Sequence, residues 1–431
     1  MQNYDDNRIY WIWLQNICGA GSVMPELLTD AFDDSVVRLY EAEDSEYDAL
    51  SFVKKPLADK LKNKSLTKAR EIIAYCENEG VGIITPDCAM YPKRLGRIQG
   101  RPIVLYYKGV VPNLDLEVCI AEVGTRNMTE YGAQTAYAMA YDLARAGAIV
   151  VSGMAKGVDG MAHRGAIDAG GTTIAVTGCG IDRVYPAEHK SLMLDIIKKG
   201  AVITEFPPFT PPMGRNFPVR NRIVSGLSLG TLVIEAPSKS GALITAEVAM
   251  KQGRDVFAIP GKLGEMSSTG SNSLIKNGAK MVMTVPDILS EYQMLYPDKI
   301  DLTKLKANLP RINLNSIQMV ASASYGEVRE DKKTSEGRRA KGLRRSLTEN
   351  EDDNTENNAS QTKEKCDFAL PDDISELRRT VLTRLMGGPV AAEELMSGTS
   401  FKVDELLVEL TMLELEGVIE ALPGGSYKLI K

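Results

Sequence analysis

From Val118 to Ile259 the chain alternates short, wholly apolar runs with longer, glycine-punctuated stretches of helical character. The runs are VCIAEV (118–123), AIVVS (148–152), TIAVTG (173–178), AVITE (201–205), TLVIE (231–235) and DVFAI (255–259). Strands that stay apolar on both sides, separated by helices, predict a parallel sheet covered on both faces. The pattern therefore predicts an α/β domain with a Rossmann-like, doubly wound, mostly parallel sheet. Any ligand belongs outside the carboxyl ends of its strands, in the turns that follow them.

The flanks read differently. Residues 1–85 predict a small helical domain, in which LQNICGAGSVMPELLTDAF sets a Gly-x-Gly turn between two amphipathic stretches. Such a turn either offers backbone N–H groups to a DNA phosphate, as in a helix-hairpin-helix, or simply joins two helices. The α/β core is expected over 86–298. A charged, disordered tether follows over 299–366, because half the residues from Glu330 to Lys365 are charged and few are apolar. In 367–431, helix, strand, Gly-Gly turn and strand predict a C-terminal winged helix.

Composition narrows the chemistry. The 431 residues carry a formal charge of -6, and the six cysteines include no C-x-x-C pair. No apolar run spans a bilayer and the first residues do not resemble a secretory signal, so the expectation is a cytoplasmic protein without membrane contact. With 2 histidines, a His-based metal site or a Ser-His-Asp triad has little material. No metal and no cofactor are expected. The charge is unevenly placed: Ile120 to Lys262 holds 15 Lys and Arg against 12 Asp and Glu, a net of +3, while Asp367 to Lys431 holds 6 against 12, a net of -6. Phosphate neutralisation needs the first sign, not the second.

The turns after the predicted strands carry the candidates. In VGTRNMTEYG, Gly124 permits close backbone approach, Thr125 offers a hydroxyl and an N–H, and Arg126 a forked cation suited to phosphate, although a plain strand-to-helix turn reads the same way. In SGMAKGVDG, the run Ser152, Gly153, Ala155, Lys156, Gly157 and Asp159 predicts an anion-binding nest at a helix start, with Lys156 adding charge and Asp159 capping the loop. Neither a P-loop nor a clean G-x-G-x-x-G is present, so ATP hydrolysis and dinucleotide binding lack their signatures. Between Phe206 and Ile234, where there is no acid, RNFPVRNR contributes Arg215, Phe217, Arg220, Asn221 and Arg222. Arginines with an aromatic are how single-stranded nucleic acid is held without sequence preference. Alternatively, one of Arg220 and Arg222 pairs internally with Glu205 or Glu235. In SKSGALITAEVA, Gly241, Thr245 and Glu247 either cap a helix or imitate the loop of nucleotide phosphoribohydrolases, which would make the protein an enzyme acting on a nucleoside monophosphate.

In order and spacing, these motifs over about 82–289 closely resemble the DNA-processing protein A (DprA/Smf) family, and LELEGVIEALPGGSYKL is similar to the winged helix many members carry. The resemblance implies a non-enzymatic, homodimeric protein that binds and protects single-stranded DNA in natural transformation and helps load a RecA-type recombinase. It places the strand across Gly124, Thr125 and Arg126, then Ser152, Gly153, Ala155, Gly157 and Asp159, then Phe217, Arg220, Asn221 and Arg222, with Arg215 as a nearby cation. Two positions depart from the family pattern: Glu122 sits where an apolar strand residue is usual, and Ala187 where some relatives have lysine.

Overall fold

The computed structural model describes residues 7–305 and, in the C-terminal region, 375–391 with shorter stretches between 394 and 429. All six apolar runs are strands of one sheet: β3 (Cys119–Val123), β4 (Ile149–Ser152), β5 (Thr173–Val176), β6 (Ala201–Thr204), β7 (Gly230–Val233) and β8 (Asp255–Ala258). Three strands join them, β1 (Gly82–Ile84), β2 (Leu105–Gly109) and β9 (Lys280–Met281). The order is β1-β2-β6-β5-β4-β3-β7-β8-β9; β1, β2 and β6 pair antiparallel and every other neighbour parallel. The chain winds outward from β3 through β4, β5 and β6, then returns to the other side of β3 with β7. The carboxyl ends of β3 and β7 therefore flank the switch point at which such sheets hold ligands.

Helices α7 (Glu130–Arg145) and α8 (Val158–Asp168) cover one face of the sheet through Val118, Ile120, Val150 and Leu232. Helices α10 (Asn216–Gly226) and α11 (Gly241–Lys251) cover the other through Cys119, Ala121, Val151 and Val233. This alternation along β3 is the period of two that a doubly covered strand requires. Helix α7 starts where the Thr129 hydroxyl accepts the Gly132 N–H at 3.1 Å, which stabilises the first turn after the site-bearing loop.

Glu122 interrupts this apolar pattern. It is fully buried, and neither carboxylate oxygen has a hydrogen-bond partner. Burial, reinforced by the nearby Asp159 carboxylate, pushes its pKa well above the usual carboxylate range, so the strand tolerates the residue in its neutral form.

The N-terminal region forms six helices, α1 (Arg8–Cys18), α2 (Met24–Asp30), α3 (Val36–Glu41), α4 (Asp44–Ala49), α5 (Lys55–Lys62) and α6 (Thr67–Asn78). With α9 (Lys190–Lys199) they close over the β2/β6 edge, burying Tyr106 and Val202 with Trp11 and Leu14. Glu205, just past β6, makes the joint. One oxygen of its buried carboxylate accepts the Arg222 guanidinium at 2.7 Å and the Gly21 N–H at 3.1 Å, while its carbonyl accepts Gln15 Nε2 at 2.8 Å. The Gly19 N–H is also used, donating to the Gln15 carbonyl at 2.8 Å. Of the two readings of the Gly-x-Gly turn, the structure thus favours an internal joint over an offer of amides to DNA.

The expected tether begins on the domain: the Asp301 N–H donates to the Ala146 carbonyl at 3.0 Å and Ile300 is buried. Beyond Leu305, the segment to 366 lies outside the described residues. The C-terminal unit contains a helix, Glu376–Leu385, and an antiparallel sheet in the order β10 (Val390–Ala391), β12 (Ser426–Leu429), β11 (Ile419–Leu422), around Val381, Leu382, Leu410 and Ile419.

Two outcomes are expected. Arg222→Ala leaves the Glu205 carboxylate buried without its cation, and urea unfolding should show a loss of about 3 to 5 kcal/mol. The folded chain holds the Glu122 proton to higher pH than the unfolded chain does. Its contribution is therefore fully present below the ordinary carboxylate range and is lost as pH rises through the raised value. Glu122→Gln removes that titration, so its stability relative to wild type should rise as pH climbs above the ordinary carboxylate range, by at most about 1.4 kcal/mol per pH unit. Parallel stability curves for the two proteins would show that the carboxyl ionises normally.

Candidate nucleic-acid interface

A cavity of about 530 Å³ opens at the switch point, a size suited to a nucleotide-sized occupant. The turns after β3, β4, β5 and β7 and the start of α10 all contribute to its wall. Nine of the candidates named from the sequence meet here: Gly124, Thr125, Arg126, Gly153, Ala155, Asp159, Phe217, Arg220 and Asn221.

Their roles differ in ways the sequence does not announce. Arg220 is 4% exposed. Its guanidinium donates to the carbonyls of Gly153, at 2.5 Å, and Val176, while its Nε donates to Asn221 Oδ1 at 3.1 Å. Burial lowers its pKa, and the nearby Asp159 carboxylate opposes that shift. Gly153 is required because any Cβ there would overlap this guanidinium. Arg126, by contrast, is exposed, and among the described residues no ion pair engages it. Its guanidinium carbon lies 5.2 Å from the centroid of the Phe217 ring, and that of Arg220 lies 5.9 Å away. The half-buried Phe217 also meets Tyr185 at 5.2 Å, so the aromatic holds Arg126 in place by cation–π attraction and lines the cavity.

The glycine-rich turn after β4 carries strain. Met154, fully buried, has φ 56°, and Gly157 has φ 79°, where the second conformation suits only a residue without Cβ. The nest expected here is occupied from within: the Asp159 carboxylate accepts the Ala155 N–H at 3.2 Å. Burial raises the Asp159 pKa, and Arg220 and these amides pull it back down. Asp159 thus caps the loop as its position in the sequence suggests, and the cations, not these amides, remain to meet an anion.

Five candidates stand elsewhere. Ser152 is buried and its hydroxyl donates to the Glu122 carbonyl at 2.6 Å. Gly157 shapes the turn from behind: its φ and the Thr125 carbonyl beside it leave no room for a side chain. Lys156 pairs with Glu188 at 2.6 Å and does not line the cavity. Arg222, expected among the phosphate cations, is turned to Glu205 in the domain joint because α10 puts neighbouring residues on different faces. Arg215 lines a separate cleft.

Conversely, Tyr185 and Lys239 line the cavity without having been singled out, and Ser240, read as a helix cap, lines it too while its hydroxyl accepts the Ala242 N–H at 3.3 Å. Tyr185 was legible as the aromatic ending the glycine-rich turn after β5, and Lys239 as the cation of the SKSG loop. Among the described residues three cations, Arg126, Arg220 and Lys239, line the cavity against one carboxylate, Asp159. Gly241 and Thr245 face it as well, whereas Glu247 points to solvent and pairs with Lys251 at 2.7 Å.

Among solved structures, the fold is similar to DNA processing protein A of Streptococcus pneumoniae, with a TM-score of 0.57 and 33% identity over 66% of this chain and 97% of that one. In sequence, the chain is 40% identical to the DNA processing protein DprA of Bacillus subtilis, over 52% of this chain and 75% of the relative. It is 28% identical to the protein Smf of Synechocystis over 98% and 99% of the two chains. A DprA winged helix domain matches residues 368–425. The model of the DNA recombination-mediator protein A matches residues 82–293, the stretch that builds the sheet and every turn around the cavity, and the chain belongs to that family.

Proposed function

We propose that the cavity at the switch point holds the backbone of single-stranded DNA, and that the protein shields the strand and helps deliver it to a RecA-type recombinase in the cytoplasm. The observation that carries this reading is the exposed Arg126, seated on Phe217 beside Arg220 and Lys239 in a cavity with a single carboxylate. Phosphates meet the cations and a base meets the aromatic wall, which is sequence-tolerant recognition. The site residues under this reading are Gly124, Thr125, Arg126, Gly153, Ala155, Asp159, Phe217, Arg220 and Asn221. Ser152, Gly157 and Arg222 shape the scaffold around them.

The enzymatic reading is not favoured, since Glu247, the glutamate that would support cleavage of an N-glycosidic bond, lies outside the cavity in a solvent-exposed ion pair. A homodimer is part of the proposal. Late in the domain Met281, on the edge strand β9, and Met283 just past it are at least half exposed, as are Leu263 and Met266, and such residues are suited to burial against a second copy. The acidic C-terminal unit suits a basic protein partner better than DNA.

In fluorescence anisotropy with labelled oligo(dT), Arg126→Ala should weaken binding about tenfold or more and reduce the salt slope by about 0.7, the share of one phosphate. Melting temperature should not change. Full displacement of the oligonucleotide by a mononucleotide, or an unchanged slope in the variant, would turn the reading towards a small ligand. For the dimer, Met281→Glu with Met283→Glu should shift sedimentation to the monomer, and a dimer that persists would move the interface elsewhere.

A further inference from the structure

A second cleft, of about 430 Å³, lies between the N-terminal helices and the segment that runs from the end of β6 into α10. It shares a wall with the first. Along the loop and first turn leading into α10, Pro212, Gly214 and Phe217 face the switch-point cavity, while Met213, Arg215 and Asn216 line the second cleft. Because consecutive residues of this one segment face opposite clefts, the wall between them is a single layer of chain, and a strand leaving one cleft can continue into the other.

The second cleft has the same chemistry on different residues. Its cations are Lys68, from α6, and Arg215, both exposed and, among the described residues, neither in an ion pair; no described carboxylate lines it. At the rim, between the lining residues Pro207 and Thr210, Phe209 is 59% exposed and held at φ 70°, a conformation bulky residues avoid. Its N–H donates to Asp182 at 2.7 Å, which turns that carboxylate to the loop, and its ring meets Tyr75 edge-on at 4.7 Å. Tyr75 lies two turns along α6 from Lys68 and therefore on the same face. A strained, exposed aromatic backed by a second ring, which lies on the same helix face as Lys68, is a stacking platform in line with a phosphate track.

We propose that this cleft is a second subsite for the same single strand. Lys68 and Arg215 take the phosphates that follow those in the switch-point cavity, and Phe209 stacks a base. The N-terminal helices then extend the DNA path, through side chains on α6 and not through the Gly-x-Gly turn. The inference rests on the reading of the first cavity as a backbone site.

The test compares two oligo(dT) probes on the full chain, one of about five nucleotides, enough for the first cavity, and one of about fifteen. Lys68→Ala combined with Arg215→Ala should bind the short probe as wild type does. On the long probe it should lose about tenfold in affinity and about 1.4 in salt slope, the share of two phosphates. Phe209→Ala should weaken the long probe with the slope unchanged. Wild-type binding of both probes by the double variant, or an equal loss on both, overturns the second subsite. Arg126→Ala run in parallel judges the first cavity separately. If it binds both probes normally, the backbone reading fails, while a loss on the long probe alone in the double variant still assigns the second cleft.

Discussion

The site depends on one buried cation. Arg220 reaches from α10 across the ends of β4 and β5, and its guanidinium satisfies carbonyls that the sheet leaves unpaired where those strands stop. A buried guanidinium is costly unless its donors are used and its charge is opposed. Carbonyls do the first and Asp159 the second. Asp159 in turn gathers the amide of the following turn. Gly153, β4, β5, α8 and α10 are thus fixed to one another around a single side chain, and Arg126 and Phe217 take their places on that frame.

Arginines of one short stretch are divided between building and binding. On α10, residues 220 and 222 face different directions, one into the ends of the sheet and the other into the joint at Glu205. Arg215 precedes the helix and faces a third direction. A single buried acid decides the second case: Glu205 carries no other described cation, and it also binds the turn that docks the N-terminal helices.

The sheet could be read from the sequence because its central strands are apolar on both sides, a constraint with few alternatives. Strands β1 and β2 are harder to read, since GII is only three residues long and LYYKG mixes polarity within an antiparallel pair. Strand β9 is too short to leave a pattern. At the site, residue types and turns were legible, which is why nine candidates converge on one cavity. Direction was not. An arginine that braces carbonyls and one that waits at a cavity mouth have the same chemistry, and only helix phase and the position of a distant Glu205 separate them. The acid in SGMAKGVDG illustrates the gain in reading a loop as a whole, because Asp159 closes the nest that its glycines open.

That internal occupant also shapes what the cavity can accept. A phosphodiester carries a single negative charge whatever the pH of the medium, whereas the terminal group of a free nucleotide carries close to two at neutrality. When ionised, a carboxylate set behind the cations subtracts from the attraction felt by either, and it penalises the second charge as much as the first. Compared with an uncharged side chain at the same place, the carboxylate therefore narrows the advantage that a doubly charged terminal phosphate has over a phosphodiester at these cations.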